Sequence, residues 1–144
     1  MHIAVVIPCF KVRDHILSVI GRIGPEVSRI YVVDDKCPQN SGSYVQESSR
    51  DPRVQVIFNH TNQGVGGATI AGYRRALVDG ADIVVKLDGD GQMNPATIPS
   101  LVSPILKGSA DYAKGNRFYS LENLDGMPFF RKIGNAGLSF ISKV

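Results

Sequence analysis

The sequence lacks the features that mark several large classes of protein. It has only two cysteines, Cys9 and Cys37, and neither lies in a CxxC motif or beside a histidine, so we expect neither a disulfide framework nor a zinc site. No apolar run approaches the roughly 20 residues that span a bilayer. The N-terminus has neither the basic start nor the small-residue cleavage site of a signal peptide. We expect a cytoplasmic protein, and any association with the cytoplasmic face of the membrane is expected to come from sequence beyond Val144.

The sequence also has only a small excess of positive over negative charge. The formal net charge at pH 7 is only +3, which suits an anionic ligand but is too weak to indicate nucleic acid as a partner. The sequence shows no internal repeat, low-complexity tract or linker. Its 144 residues, of which 43% are hydrophobic, are enough for one hydrophobic core but not for two. We therefore expect a single domain over residues 1–144.

Short apolar runs rich in β-branched residues alternate with segments of helical spacing. The runs are almost continuously apolar, as parallel strands that are buried on both faces should be. Their βαβαβαβ order predicts an α/β fold with a doubly wound, mostly parallel sheet and right-handed crossovers. We predict strands at Ile3–Ile7, Ile30–Val33, Val54–Phe58 and Ile83–Leu87, and helices at Arg13–Ile23, about Ser41–Ser49, and Ala68–Val78.

The third predicted helix has a marked face and a clear end. Four of its side chains follow one another at helical spacing and share one side of the helix. Gly80 comes directly after Asp79 and is a suitable residue for ending the helix. The side chains on the shared face are Ile70, Tyr73, Arg74 and Leu77.

The C-terminal segment, Arg131–Val144, has a helical pattern of its own. Ile133, Phe140 and Ile141 belong to an apolar stripe, and no Gly, Asn or Pro follows to end a helix. We interpret this pattern as a chain that is cut inside or just after a helix. The stripe is then expected to leave apolar surface exposed and to favour homo-oligomers.

Acidic side chains follow two of the predicted strands. The second strand ends in Asp34 and Asp35, and the fourth is followed by Asp88, Gly89 and Asp90. Ligands of open α/β sheets bind beyond the carboxyl ends of the strands, so these carboxylates are expected near a ligand. Two carboxylates on one glycine-containing loop suit Mg²⁺ or Mn²⁺, which complete their coordination with water and substrate phosphates. The side-chain oxygen of Gln92 is a further candidate ligand.

Other interpretations of these motifs stay open. Asp-Gly pairs also form ordinary turns, and two aspartates separated by one residue often occur by chance. No P-loop sequence is present. The Gly64–Gly67 segment resembles the glycine-rich start of a dinucleotide-binding helix, but that motif should follow the first strand. We therefore interpret these glycines, including Gly67, as a place of close packing between a helix and a ligand, with a purely structural helix start as the alternative.

Four motifs taken together resemble the family 2 glycosyltransferases of GT-A fold. They occur in the family's order and at the expected strand ends, and the resemblance covers nearly the whole chain. The Asp-Gly-Asp-Gly-Gln form and the later Gly-Asn-Arg-Phe most resemble the polyprenyl-phosphate (dolichol-phosphate) sugar synthases. The motifs are Val6–Phe10, Tyr31–Asp35, Asn62–Gly64 with Ala68 and Gly72, and Asp88–Gln92, followed by Gly115–Phe118.

The resemblance implies a role for each matching residue. It implies that Asp35, supported by Asp34, binds the nucleobase of a nucleoside-diphosphate sugar, in a pocket that Pro8 and Phe10 line. It implies that Asp88, Asp90 and Gln92 bind the metal ion, that Arg117 and Arg131 contact phosphate, and that Asp90, Arg117 and Arg131 take part in catalysis. Guanidinium suits phosphate because its planar fork binds two oxygens at once.

The resemblance further implies an inverting transfer of the sugar to a polyprenyl phosphate or a glycan acceptor. A sugar-phosphate nucleotidyltransferase and a non-catalytic nucleotide-sugar-binding module are the alternatives. The sequence departs from the family at Lys11-Val12, where Asn-Glu is common, and at Lys36-Cys37, where Gly-Ser is usual. The family's acceptor-side segment would lie beyond Val144, so we expect this chain to bind a nucleotide sugar but to transfer little or none of it.

Overall fold

The structure, a computed structural model, describes residues 1–115 as alternating strands and helices. The predicted order of four strands and three helices is confirmed, and two further elements follow the fourth strand. The helix predicted at 131–144 lies outside the described residues, so it stays a prediction, as does the single domain over 1–144. The elements are β1 (Ile3–Cys9), α1 (Arg13–Gly21), β2 (Val27–Asp34), α2 (Ser41–Ser48), β3 (Val54–Phe58), α3 (Gly64–Val78), β4 (Ile83–Lys86), a 3₁₀ turn (Pro95–Thr97) and α4 (Ile98–Leu106).

The four strands lie parallel in one sheet with the spatial order β3-β2-β1-β4. The chain moves outward from β1 to β2 and β3, and then crosses back to place β4 on the other side of β1. A right-handed crossover that reverses its direction puts its helix on the opposite face of the sheet. The predicted doubly wound, parallel sheet is therefore confirmed, and its direction switches between β1 and β4.

Each face of the sheet has its own hydrophobic core, because side chains alternate along the strands. In β1, Val5 and Ile7 face the larger core, which α1, α2 and α4 cover. Ala4 and Val6 face the smaller core, which α3 covers. None of these four side chains is more than 1% exposed. Burial on both faces explains why β1 is a continuous apolar run in the sequence and not an alternating one.

Helix α3 packs on the sheet through its small residues. A Cβ atom added to Gly72 would collide with the side chain of Val6, so the backbone of α3 lies directly against β1. The apolar face that the sequence displays is turned outward instead: Ile70 is 52% exposed and Leu77 is 67% exposed. The absence of bulk, and not hydrophobicity, decides which face approaches the sheet. The buried residues of α3 are Ala68, Gly72 and Ala76.

Helix α4 is not among the helices predicted from the sequence. It contains Pro99 in its first turn and Pro104 in its interior, and an interior proline removes a hydrogen bond and normally kinks or breaks a helix. Ile98 and Val102 are each 2% exposed and pack into the larger core. This burial stabilises a helix that its own sequence disfavours.

No helix within residues 1–115 is long and apolar enough to cross a membrane.

Arg53 connects two loops near the amino ends of the strands. Its guanidinium donates hydrogen bonds to the backbone carbonyls of Gly24 and Val27, at 2.6 and 3.1 Å, and of Ile23, at 3.0 Å. It also forms an ion pair of 2.7 Å with Asp51. The hydrogen bonds from Arg53 hold the pKa of the Asp51 carboxyl below its usual value, although partial burial opposes this shift.

Candidate nucleotide-binding site

A cavity of about 370 Å³ opens at the carboxyl ends of the strands, where the sheet changes direction between β1 and β4. This is the place where open α/β sheets bind their ligands, because the loops on either side of the switch diverge and leave a crevice. Three strand ends and one helix start contribute to its wall. The lining residues are Pro8, Cys9, Phe10 and Val12 from β1 and the loop after it, Asp35 after β2, Asn62, Gly64, Val65 and Ala68 at the start of α3, and Asp88, Gly89 and Asp90 after β4.

Gly89 explains how two carboxylates reach the same cavity. It is buried, and a Cβ atom built on it would lie 3.0 Å from Cδ1 of Ile16 and 3.2 Å from Cγ2 of Ile7, in the larger core. The residues on either side, Asp88 and Asp90, line the cavity. The core would have to shift to accommodate a side chain at position 89. Because glycine has none, the loop can pass close to α1 and leave both carboxylates on the cavity side.

The two carboxylates differ in their surroundings. Asp88 is partly buried, and its Oδ1 accepts a hydrogen bond from Nζ of Lys86 at 2.5 Å. Asp90 is exposed, and its Oδ1 accepts a hydrogen bond of 3.0 Å from the backbone N–H of Gln92. Gly91, with a φ of 81°, makes the turn that this bond closes. Asp88 therefore has a cation beside it, whereas Asp90 is held by its own loop.

The two consecutive aspartates at the end of β2 have different tasks. Asp34 is 4% exposed, and its carboxylate accepts short hydrogen bonds from the backbone N–H groups of Cys37, at 2.7 Å, and Gly42, at 2.6 Å. It therefore fixes the loop between β2 and α2 and does not appear among the cavity-lining residues. Asp35, only 2% exposed, lies in the cavity wall.

Asp35 is held in the wall by two hydrogen bonds. Its Oδ1 accepts one from the side-chain amide of Asn59, at 2.8 Å, and one from the backbone N–H of Gln63, at 2.9 Å. Both donors come from the segment between β3 and α3, so Asp35 joins the end of β2 to the start of α3. Both bonds go to the same oxygen, which leaves Oδ2 as the acceptor that can serve a ligand.

The loop after β1 is anchored on the loop after β2. The backbone N–H of Lys11 donates to Sγ of Cys37 at 3.0 Å, and this sulfur also lies 3.1 Å from Oγ of Ser41. Burial raises the pKa of the Cys37 thiol, but the hydrogen bonds from Ser41 and from the Lys11 backbone outweigh burial and leave the pKa below its usual value. This contact fixes the path of the loop that carries Phe10, which is 42% exposed at the cavity mouth.

Both departures from the family pattern occur where the backbone is unusual. Lys11 has a φ of 56° and Lys36 a φ of 53°, in the left-handed region that glycine adopts most readily. In the family that the sequence resembles, glycine is usual at the position of Lys36. The loop therefore keeps the backbone path that glycine would permit, although its side chain differs. The exposed Lys11 ammonium lies 5.5 Å from the centre of the Phe10 ring.

The start of α3 faces the cavity with backbone groups and small residues. Gly64 has a φ of 72°, and Gly64, Val65 and Ala68 line the wall. The first N–H groups of a helix have no partner within the helix and carry partial positive charge, so they suit oxygen acceptors such as phosphate or hydroxyl groups. Gly67 is not a lining residue. It lies in the first turn of α3, where a Cβ atom would collide with the side chain of Gln63, the residue just before the helix.

Of the eight site residues predicted within residues 1–115, the structure brings five together in the cavity wall. Pro8, Phe10, Asp35, Asp88 and Asp90 all line the cavity. Gln92, Asp34 and Gly67 are not lining residues, and their roles toward a ligand stay predictions. Arg117 and Arg131 lie outside the described residues. Cavity residues that sequence reasoning did not single out are Cys9, Val12, Asn62 and Val65.

Two of these residues, Asn62 and Cys9, lie within motifs named above, and the signal was weak for Val12 and Val65. Asn62 belongs to one of the motifs that carry the family resemblance, two residues before the glycine that begins α3. Cys9 and Val12 look like ordinary apolar residues of a strand end and a helix start. Burial, and next the negative charge of Asp34, raise the pKa of the Cys9 thiol to about 12, so Cys9 contributes a neutral, apolar part of the wall.

The residues present fit a hard divalent ion that also binds phosphate. Within residues 1–115, no group of three or more His, Cys, Asp and Glu side chains could hold a metal ion by itself. Two carboxylates, Asp88 and Asp90, nevertheless lie in one cavity wall. Mg²⁺ typically binds through one or two carboxylates and takes its remaining ligands from water and substrate phosphates. A site of this kind depends on a phosphate-bearing ligand to be complete.

Comparisons with known proteins identify the family of the chain. A sequence model described as glycosyl transferase family 2 matches residues 4–140. The chain is 32% identical to a UDP-N-acetylglucosamine–dolichyl-phosphate N-acetylglucosaminyltransferase of Methanococcus voltae, over 97% of this chain and 61% of that protein. It is 32% identical to an undecaprenyl-phosphate mannosyltransferase of Micrococcus luteus, over 92% of this chain and 55% of the relative. It is 30% identical to a dolichol-phosphate mannosyltransferase of Pyrococcus furiosus, over 100% and 41%.

The chain therefore spans about half the length of the curated relatives it matches. Among solved structures, a crystal structure of S. aureus TarS 1-349 in complex with UDP is similar, with a TM-score of 0.60 over 74% of this chain and 32% of that one. At 19% identity, this likeness shows the fold alone. The order of the strands, the position of the cavity and the match over residues 4–140 lead to one conclusion. The chain belongs to glycosyl transferase family 2.

Proposed function

We propose that this chain is the donor-binding part of a glycosyltransferase that takes a sugar from a nucleoside-diphosphate sugar. One observation carries the proposal: Asp35 and the pair Asp88 and Asp90 line a single cavity at the point where the sheet switches direction. A nucleoside diphosphate has a base with N–H groups at one end and a charged diphosphate at the other. The cavity offers an acceptor for the first and, for the second, a pair of carboxylates that would hold a metal ion together with the diphosphate.

The base end of the donor is expected next to Asp35. Its Oδ2 is the carboxylate oxygen that the bonds to Asn59 and Gln63 leave for a ligand. A buried carboxylate makes strong hydrogen bonds with ring N–H donors. Phe10 and Pro8, which lie in the same wall, supply apolar surface against which a base can pack. Asp34 supports this end indirectly, because it fixes the loop that follows Asp35.

The diphosphate end is expected beside Asp88 and Asp90. These residues would hold a Mg²⁺ or Mn²⁺ ion together with the diphosphate. When bound, such an ion neutralises the charge that develops on the diphosphate as its bond to the sugar breaks. Asp90 is exposed and its loop is closed by the Gln92 N–H, so its carboxylate is already oriented before the donor arrives. Gln92 remains a candidate for a further ligand.

The proposed acceptor is a polyprenyl phosphate, with a glycan as the alternative. All three relatives compared above have names that specify dolichyl, undecaprenyl or dolichol phosphate. The second pKa of a phosphate monoester is about 6, so a lipid phosphate is mostly dianionic near neutral pH and can attack the anomeric carbon without a strong base. In-line attack inverts the configuration there. We assign the orientation of this phosphate to Arg117 and Arg131, which lie outside the described residues.

A lipid acceptor also implies where the full protein acts. We propose a cytoplasmic domain that works at the cytoplasmic face of a membrane, since the donor is a soluble, charged nucleotide sugar and the acceptor is a lipid. Homo-oligomers stay a prediction that light scattering can test.

A thermal-shift panel tests the donor assignment. UDP-, GDP- and CDP-sugars are each added to the protein with and without Mn²⁺, and the melting temperature is recorded. The proposal predicts that one nucleotide class stabilises the protein and that Mn²⁺ increases this stabilisation. No stabilisation by any of the nucleotides contradicts it. A parallel assay of sugar transfer to polyprenyl phosphate, on this chain and on a longer one, separates an enzyme from a module that only binds.

A further inference from the structure

We infer that Lys86 is a positioning residue. Before a ligand binds, it serves as the counter-ion of Asp88. It thereby makes the binding of a divalent ion depend on the nucleotide. The inference deepens the proposed function and rests on it for the identity of the ligand. It concerns the order in which the cavity is filled: the ion and the diphosphate enter together, and the ion alone binds weakly.

The position of Lys86 follows from the alternation of side chains along β4. Ile83 and Val85 are buried in the larger core, whereas Val84 packs against the smaller one. Lys86 is the last residue of β4, and its side chain lies on the same side of the sheet as that of Val84, the side that α3 covers. From there the long side chain extends toward the carboxyl edge of the sheet. Its ammonium reaches Asp88, two residues later, and the two side chains are each 31% exposed.

The ion pair changes the charge that an incoming metal ion meets. Three ion pairs occur among residues 1–115, and the pair between Lys86 and Asp88 is the one that includes a cavity-lining residue. With Lys86 in place, the ammonium and the carboxylates of Asp88 and Asp90 together have a single negative charge. Without it they would have two, and a divalent ion would be attracted more strongly.

A nucleoside diphosphate relieves this competition. It brings negative oxygens of its own, to which the ammonium of Lys86 can turn on its flexible four-carbon stem. Asp88 is then free to bind the ion, and the phosphate oxygens supply further ligands. The ion and the nucleotide therefore each increase the affinity for the other, as linked binding requires. An enzyme arranged in this way keeps Asp88 paired with Lys86 until the donor is present.

The experiment measures Mn²⁺ binding by electron paramagnetic resonance with and without a nucleoside diphosphate. Lys86→Met removes the ammonium and keeps most of the length of the side chain, whereas Lys86→Arg keeps the charge. Lys107→Met is the matched control: Lys107 is exposed, follows α4 and is not a cavity residue, and its loss changes the net charge equally. Melting curves check that each variant is folded.

The inference predicts that Lys86→Met binds Mn²⁺ about tenfold more tightly than the parent when no nucleotide is present. Lys86→Arg and Lys107→Met should match the parent. The increase in Mn²⁺ affinity that a nucleotide produces should be about tenfold or more in the parent and much smaller in Lys86→Met.

Unchanged or weaker Mn²⁺ binding by nucleotide-free Lys86→Met overturns the inference. An equal gain in Lys107→Met also overturns it, because the effect would then be one of net charge, and so does a failure of both parent and Lys86→Met to bind Mn²⁺. These results are distinct from a failure of the proposed function, which would be the absence of nucleotide binding by the parent. The nucleotide-free titrations decide the role of Lys86 in either case.

Discussion

The carboxylate of Asp35 accepts a hydrogen bond of 2.8 Å from the side-chain amide of Asn59, the residue that directly follows β3. The bond connects two neighbouring strand ends and holds Asp35 in the cavity wall with one oxygen occupied. Its neighbour Asp34 has both oxygens bonded to backbone N–H groups of the following loop. Two adjacent residues of the same type thus divide the work: Asp34 stabilises the loop, and Asp35 faces the ligand.

Replacement of Asp35 by alanine should weaken nucleotide binding. A hydrogen bond to a charged group contributes about 1.5–3 kcal/mol, so the dissociation constant for the nucleoside diphosphate should rise between about tenfold and a hundredfold. Isothermal titration calorimetry measures this constant. Asp14→Ala, which removes an exposed carboxylate from the first turn of α1, is the control and should leave it unchanged. Equal affinity in Asp35→Ala and the parent would remove Asp35 from the site.

Replacement of Asp34 by alanine should instead lower stability. The change leaves the buried N–H groups of Cys37 and Gly42 without their acceptor, and each lost bond of this kind costs roughly 1–3 kcal/mol. The free energy of unfolding, measured by urea denaturation, should fall by about 3 kcal/mol. A variant as stable as the parent would show that the loop does not depend on this carboxylate.

Replacement of Gly72 by alanine should separate α3 from β1. The added methyl group has no room beside Val6 and would lie 3.1 Å from a methyl group of Val33. Overpacking of this kind typically costs 1–3 kcal/mol, so a loss of about 2 kcal/mol is expected in urea denaturation. Gly66→Ala is the matched control, since nothing lies within 4 Å of its Cβ position and alanine favours the helix. Similar losses in the two variants would contradict the proposed contact.

The ion pair between Arg53 and Asp51 should make stability depend on pH. Arg53 holds the pKa of Asp51 below its unfolded value of about 3.9, so the pair contributes stability above that pH and loses it as the pH falls through the folded pKa. Arg53→Met should cost about 2–3 kcal/mol near neutral pH, because three backbone carbonyls also lose their donor.

Unfolding free energies measured from about pH 7 to about pH 3 test this prediction. The difference between parent and Arg53→Met should stay constant down to about pH 5 and shrink below about pH 4. A constant difference over the whole range would mean that the carbonyl contacts alone stabilise the loops.

Much of the fold could be predicted from the sequence, because buried parallel strands leave a clear apolar signal. The convergence of Asp35, Asp88 and Asp90 also followed, since the carboxyl ends of parallel strands meet at one edge. Helix α4 was missed because Pro104 opposes a helix interior, whereas burial of Ile98 and Val102 stabilises the helix. The packing face of α3 could not be predicted from hydrophobicity, because the small residue Gly72 sets the contact with β1.

The division of tasks within the site depends on the loops, which sequence patterns describe poorly. Asp34 and Asp35 look equivalent in the sequence, and only the path of the loop through Cys37 and Gly42 distinguishes them. Lys86 is a further example, because its ion pair with Asp88 depends on the path of the loop after β4.

The metal dependence of nucleotide binding tests the central claim most directly. Nucleoside diphosphates are titrated calorimetrically into the parent and into Asp90→Asn, each with Mn²⁺ and with a chelator. The claim predicts that at least one nucleoside diphosphate binds the parent about tenfold or more tightly with Mn²⁺, and that Asp90→Asn remains folded but loses this gain. The same affinity with and without Mn²⁺ in both proteins, or a metal-dependent gain that persists in Asp90→Asn, would contradict it.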